Sequence, residues 1–187
     1  EKQIDAITAA NFREKLYQFP GFYLRKVTKR IYPHNNLGHL IGFMGEVNSD
    51  KMKEDNFYIK GDLHGVSGIE ASYESKLRGK KGMSIRLVDV HNRTQGKFNN
   101  GEYDTLAIRG KNLISTIDIE LQNYGNKLLN DKLGSIVAIN PKNGEILSLV
   151  SSPNFDPKKL SGKNRSNNYK KLINKRTKPM FNRALLG

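Results

Sequence analysis

The residues best suited to acid–base or metal chemistry are four histidines, His34, His39, His64 and His91, and two acids beside glycines, Asp62 and Glu70. A catalytic zinc needs ligand spacings such as His-Glu-x-x-His, and none of the four histidines stands in such a pattern. Surface or capping roles account for them better. The chain has no cysteine, which removes disulfides, thiolate metal sites and cysteine nucleophiles together. Gly61, Gly65 and Gly68 could cradle a phosphate, but no Gly-Lys-Ser/Thr follows them, so they read as turn residues. Ser67 precedes Glu70 by three residues, the spacing of a capping box, which gives this carboxylate a structural task. No metal or cofactor is expected.

The element that must hold these acids runs from Gly65 to Gly82. It reads as one short helix between glycine hinges, with Ile69, Tyr73 and Leu77 as an apolar stripe at four-residue spacing. Glu74 and Arg78 stand four apart in the favourable acid-before-base order. Gly79 and Gly82 release the chain into extended backbone. Before this helix, residues 4–18 read as an amphipathic helix with Asp5 at its positive end, stopped by Pro20-Gly21. Residues 22–32 carry aromatic and β-branched residues at strand spacing, ended by Pro33. A short helix is expected within residues 50–57. Short apolar pairs over residues 83–109, punctuated by Asn and Gly, predict antiparallel strands.

A second unit begins near Leu113. Asp118 is placed to cap a helix whose Leu121, Tyr124 and Leu128 share one face. Residues 135–140 and 145–151 predict a hairpin, with Pro141-Lys142-Asn143-Gly144 as its turn and Gly144 in the left-handed position. Apolar residues at odd and even positions predict that both faces of this hairpin are covered.

Of 187 residues, 36% are hydrophobic, and no apolar run approaches the roughly 20 residues of a membrane-spanning helix. The chain opens on Glu1 rather than Met, so a membrane anchor further upstream is expected to have been left out. The net charge of +14 is uneven: residues 152–187 hold ten Lys/Arg against Asp156 alone, a net of +9. Three readings stay open for this basic end, namely nucleic-acid binding, attraction to anionic lipid or polymer, and an incomplete piece of a larger domain. Nucleic acid is disfavoured, because Tyr169 is the only aromatic between Phe155 and Phe181.

Four strings, in order, carry a family resemblance. Gly65 to Gly82 resembles the Gly-x-x-Gly-x-Glu … Leu-x-Gly-x-x-Gly signature of the non-catalytic module of class B penicillin-binding proteins, nearest their elongation branch, the penicillin-binding protein 2 type. Arg30-Ile31-Tyr32-Pro33 is similar to the family's Arg-x-Tyr-Pro-x-Gly, with Asn35 where glycine is expected; Asn tolerates the left-handed turn this position would need. His39 to Gly45 is similar to a third string. The Thr116-Ile117-Asp118, Ala138-Ile139-Asn140-Pro141 and Val150-Ser151-Ser152-Pro153-Asn154-Phe155-Asp156-Pro157 stretches resemble the entry to the transpeptidase domain, as does Asn182-Arg183-Ala184. Lys158 departs from the family's usual Asn.

The resemblance implies an α+β fold: an extended mixed β/α pedestal of the dimerisation type over residues 1–112, then an incomplete serine β-lactamase-like domain, a helix plus hairpin, over residues 113–187. It implies structural roles for Arg30, Tyr32, Pro33, Gly65, Gly68, Glu70, Leu77, Arg78, Gly79 and Gly82, with Glu70 pairing an arginine, Arg30 or Arg78. The implied reaction is acyl transfer by a Ser-x-x-Lys serine onto peptidoglycan stem peptides. No Ser-x-x-Lys, Lys-Thr-Gly or Lys-Ser-Gly occurs here. Ser152-Pro153-Asn154 and Ser166-Asn167-Asn168 fit Ser-x-Asn, but both precede the place where the nucleophile would fall. The whole protein is thus expected to be a periplasmic D,D-transpeptidase anchored in the inner membrane, with a shape, elongation, division and sporulation family glycosyltransferase as partner. This chain alone is expected to lack activity. A basic nucleic-acid- or wall-polymer-binding adaptor is the alternative.

Overall fold

The computed structural model describes residues 4–24, 30–90, 93–162 and 164–186. The chain divides into two compact units that interleave in sequence: Glu1–Thr28 with Ser75–Lys111, and Lys29–Glu74 with Asn112–Gly187.

In the first unit, α1 (Ala6–Glu14) is capped by the Asp5 carboxylate, which accepts from the Thr8 N–H at 2.7 Å. A single 3-10 turn (Leu16–Gln18) follows. The expected amphipathic burial is absent: no residue of α1 is buried, and Ile7 is 77% exposed. Of its apolar side chains, Phe12 meets the chain that follows, packing with Phe19 and Phe22 as a ring trio at centroid distances of 5.4–6.4 Å. Strands β3 (Arg86–Val88) and β4 (Thr94–Lys97) pair antiparallel with a bulge between Leu87 and Val88. Isolated bridges join Lys80 to Ile108 and Met83 to Thr105. Asp104 ties this region together, accepting from the Ile85 N–H at 3.0 Å and pairing with Lys97 at 3.2 Å; these bonds hold its carboxyl below the usual range.

In the second unit, α2 (Gly38–Ile41), β1 (Met44–Glu46), α3 (Ser49–Glu54), β2 (Leu63–Gly65) and α4 (Gly68–Ser72) precede α6 (Ile119–Leu128), β5 (Gly134–Ile139), β6 (Ile146–Ser152) and α7 (Arg165–Ile173). β1 and β2 pair antiparallel, as do β5 and β6. The core gathers Phe43, Phe155 and Leu160, with Leu172 and Met180 packed against them.

The strand expected over residues 22–32 lies partly outside the described residues, at 25–29; its flanks, 22–24 and 30–32, have no regular structure. The single helix expected after Ser67 is two, α4 and α5 (Glu74–Leu77), because Tyr73 leaves helical geometry at φ −113°, ψ 17°. The Asp118 cap holds: its carboxylate accepts from the Glu120 and Leu121 N–H groups. Gly144 takes φ +75°, as the hairpin turn requires. Coverage on both faces holds only for β6. β5 alternates, with Val137 and Ile139 exposed.

Candidate functional site

Within the second unit the sequence motif closes around one carboxylate. Glu70, in the first turn of α4, receives Arg30 in a two-pronged pair: Nε to Oε1 at 2.8 Å and Nη2 to Oε2 at 2.9 Å. The Glu70 side chain is 6% exposed and that of Arg30 is 42% exposed, so the acid is buried and the base still reaches solvent. Of the two arginines the resemblance offered, Arg30 is thus the one that binds Glu70. This pairing overturns the capping-box expectation. Ser67 is the N-cap residue but its side chain makes no capping bond, and the Glu70 carboxylate that would reach back to the Ser67 N–H is engaged with Arg30.

Tyr32 completes the cluster at 3% exposure. Its hydroxyl makes no hydrogen bond within normal limits, although the Met44 N–H and the Glu70 carboxylate lie near enough to act on its acidity in opposite directions. Burial first, then the Glu70 charge, push this phenol up to about 12, against the opposing pull of Arg30. Pro33 is exposed beside it. Asn35 sits in a bend without left-handed backbone, so a non-glycine residue is accommodated there without the tolerance expected of Asn.

The glycines are places where backbones touch. Gly68 has φ +61°, and a Cβ there would press on the Leu40 carbonyl and the Gly42 N–H. A Cβ at Gly65 would overlap the Glu70 carbonyl, while the Gly65 N–H donates to the Glu74 carboxylate at 3.0 Å. The remaining motif residues belong to the first unit. Leu77 ends α5, and the Gly110 backbone lies against its carbonyl. Arg78 is exposed and engaged. Gly79 and Gly82 let residues 80–83 run beside residues 105–108, since a Cβ at either would strike the Ile108 carbonyl or the Ala107 N–H. The ten motif residues therefore fall into two groups, one in each unit, and in both the glycines let backbone segments approach. Neither group is arranged to move protons, and the one buried acid has both oxygens committed to Arg30.

Other functional-looking residues prove structural. Gln122, 1% exposed, uses its amide to satisfy the backbone of β6: Nε2 donates to the Leu149 carbonyl at 2.9 Å, and Oε1 accepts from the Leu149 N–H at 2.8 Å and the Ser148 hydroxyl at 3.1 Å. Apolar periodicity missed this residue; the face it chose, Leu121, Tyr124 and Leu128, is 36–59% exposed. Arg183 was seen only as part of a string. Its guanidinium donates to the carbonyls of Thr177 at 2.9 Å and of Lys178 and Phe181 at 3.4 Å, and its N–H donates to the Ser151 hydroxyl at 2.9 Å.

Neither Ser-x-Asn string forms a catalytic pair. The Ser152 hydroxyl lies 2.7 Å from the Lys132 carbonyl and 3.0 Å from that of Leu129, and the Asn154 amide donates to the Asn36 carbonyl at 2.7 Å. Asn168 donates to the Lys159 carbonyl. His39 packs edge-on against Phe155 at 5.0 Å. Burial lowers its pKa with help from Arg183, while the Pro153 and Pro179 carbonyls oppose the shift. His34 is exposed, His64 lies 6.4 Å from the Tyr58 ring, and His91 is outside the described residues. No group of three His, Asp or Glu among the described residues could hold a metal.

Residues 1–115 match the penicillin-binding protein dimerisation domain, and residues 134–184 match the penicillin-binding protein transpeptidase domain. The chain belongs to the penicillin-binding protein family. Among curated relatives, the peptidoglycan D,D-transpeptidase MrdA of Acinetobacter baumannii is 35% identical, over 95% of this chain and 26% of the relative. The chain thus spans about a quarter of that penicillin-binding protein's length. Among solved structures, penicillin-binding protein 2 in complex with MreC, from Helicobacter pylori, superposes with a TM-score of 0.76 at 28% identity, covering 96% of this chain and 33% of that one. A peptidoglycan synthase complex described as coordinating polymerization and crosslinking gives 0.68 at 25% identity, covering 97% and 34%. The fold is accordingly α+β, a penicillin-binding protein dimerisation module followed by part of a transpeptidase domain. The Glu70 cluster lies in the first match and the Arg183 turn in the second, with Gln122 between them.

Proposed function

We propose that the protein containing this chain is a penicillin-binding protein 2-like D,D-transpeptidase that cross-links peptidoglycan stem peptides during cell-wall elongation. In this reading residues 1–112 are its non-catalytic pedestal and residues 113–187 open its transpeptidase domain. The ten motif residues fasten the pedestal's backbone segments. The nucleophilic serine and its lysine belong to residues outside this chain.

The observation that carries the reading is the succession of a dimerisation-domain match and a transpeptidase-domain match along one chain, in a fold shared with penicillin-binding protein 2. In this reading the protein works on the periplasmic side of the inner membrane, held by a single upstream span; that its relatives are named for peptidoglycan cross-linking and synthesis supports the location. Solved relatives bound to MreC, or assembled in a peptidoglycan synthase, support a pedestal that contacts elongation partners, a membrane glycosyltransferase among them.

Labelling with a fluorescent penicillin tests the reading. The full-length protein is expected to form a covalent, boiling-resistant adduct and the 187-residue chain none. An adduct on this chain, or a folded full-length protein that takes no label, overturns it.

A further inference from the structure

The basic end of the chain is not used by the cluster around Glu70. Lys158, Lys170, Lys171, Lys175, Arg176 and Lys178 are all exposed, and among the described residues no ion pair engages them. Asp156 is the one acid in this stretch, and its carboxylate accepts from the Lys158 N–H at 2.9 Å.

These cations stand on an ordered frame. Leu160 is 1% exposed, Leu172 packs on the core, and the Tyr169 ring lies 5.9 Å from that of Phe43. Those contacts turn one side of α7 inward and leave Ser166, Asn167, Lys170 and Lys171 on the other side. Beyond α7, Arg183 gathers the carbonyls of Thr177, Lys178 and Phe181, which holds Lys178 in left-handed backbone at φ +47°. A solvated charge run has no need of such a scaffold.

We propose that the outward side of α7 and the turn after it form a docking face for a carboxylate-bearing sugar–peptide polymer. Resting on the transpeptidase reading above, this polymer is the uncross-linked peptidoglycan strand, gripped away from the reacting bond. The composition of the face favours this occupant. Lysine ammoniums are point charges that suit scattered carboxylates, whereas bidentate phosphate recognition favours arginine. Nucleic acid would need stacking aromatics, and the one aromatic of α7, Tyr169, packs on Phe43. Membrane adsorption gains from apolar anchors among the cations; in α7 Leu172 packs on the core and Tyr169 lies against Phe43, which leaves Ile173 as the apolar side chain most open to solvent. Ser166 and Asn167 add hydrogen-bonding groups that match sugar hydroxyls and amides.

The test uses the full-length protein and soluble, uncross-linked glycan strands that carry stem peptides, with binding measured across a salt series. Wild type is expected to bind these strands in a salt-dependent manner and to lose binding when the strand carboxylates are amidated. K170Q/K171Q/K175Q is expected to bind about tenfold more weakly at low salt, the sum of three exposed charge contacts. K170R/K171R/K175R is expected to bind like wild type. Equal binding by the Gln variant, equal binding to amidated strands, or tighter binding to phosphatidylglycerol vesicles than to strands overturns the proposal. Penicillin labelling of the same samples separates the two readings: labelled protein without strand binding sinks this inference alone.

Discussion

Replacing Arg30 by methionine isolates the Glu70 carboxylate in a place where water scarcely reaches it. Removing one partner of a buried ion pair costs about 3–5 kcal/mol, because the remaining charge keeps its desolvation penalty without compensation. Here the Arg30 side chain is 42% exposed, so the attraction within the pair is already partly screened by solvent on the arginine side. The expected loss is therefore about 2–3 kcal/mol. For a chain of this length that lowers the melting temperature by about 5–10 °C. Circular dichroism reads the global shift, and amide hydrogen exchange over α4 reads the same loss locally. Arg30→Met/Glu70→Leu removes both charges and is expected to recover about half or more of the loss, because apolar replacement of a whole pair is often near neutral. The reasoning is refuted if Arg30→Met shifts the melt by less than about 2 °C, or if the double variant is no more stable than the single one.

Two further outcomes follow from the geometry. Gln122→Leu strands the Leu149 N–H and carbonyl and removes the acceptor of the Ser148 hydroxyl; urea unfolding should show a loss of about 2–4 kcal/mol, and a change below about 0.5 kcal/mol would contradict the assigned role. His39 has a lowered pKa, so the unfolded chain binds more protons and the histidine's contribution is complete above about pH 6.5 and lost as pH falls below it. Thermal melts from pH 8 to pH 5 should lose part of their acid sensitivity in His39→Gln, and an unchanged profile would count against this assignment.

Features set by local chemistry were legible in the sequence. Asp118 could be read as a cap and Gly144 as a turn because each acts within a few residues of itself. The motif glycines could be marked, though their cause lies elsewhere in the chain: Gly68 is needed because Leu40 and Gly42 pass against it. Periodicity failed on α6 for a related reason. Its contact face is set by Gly125, which lets Val150 approach, and by Gln122, which serves the β6 backbone. That face lies roughly a quarter turn from the Leu121 stripe. A buried glutamine gives no apolar signal, since its value comes from a strand not yet in place. Likewise Ser67 and Glu70 have the local spacing of a capping box, and an arginine forty residues away in sequence takes the carboxylate instead. The hairpin's exposed face was hidden because odd and even positions of β5 are equally apolar.

The interleaved division of the chain also sets a timetable. The first unit is complete in sequence at Lys111, whereas residues 29–74 of the second must wait for residues 112–187. Gly38 lies against Phe155, and the Asn36 carbonyl receives the Asn154 amide across 118 positions. At typical synthesis rates the roughly eighty residues from Glu74 to Phe155 take about 4–16 s to emerge. During that interval Arg30 and Glu70 can already meet, since both precede the gap, while Phe43 has neither Phe155 nor Leu160 to pack on. The charge pair is therefore available as an early clasp on a half-built unit whose apolar core arrives last.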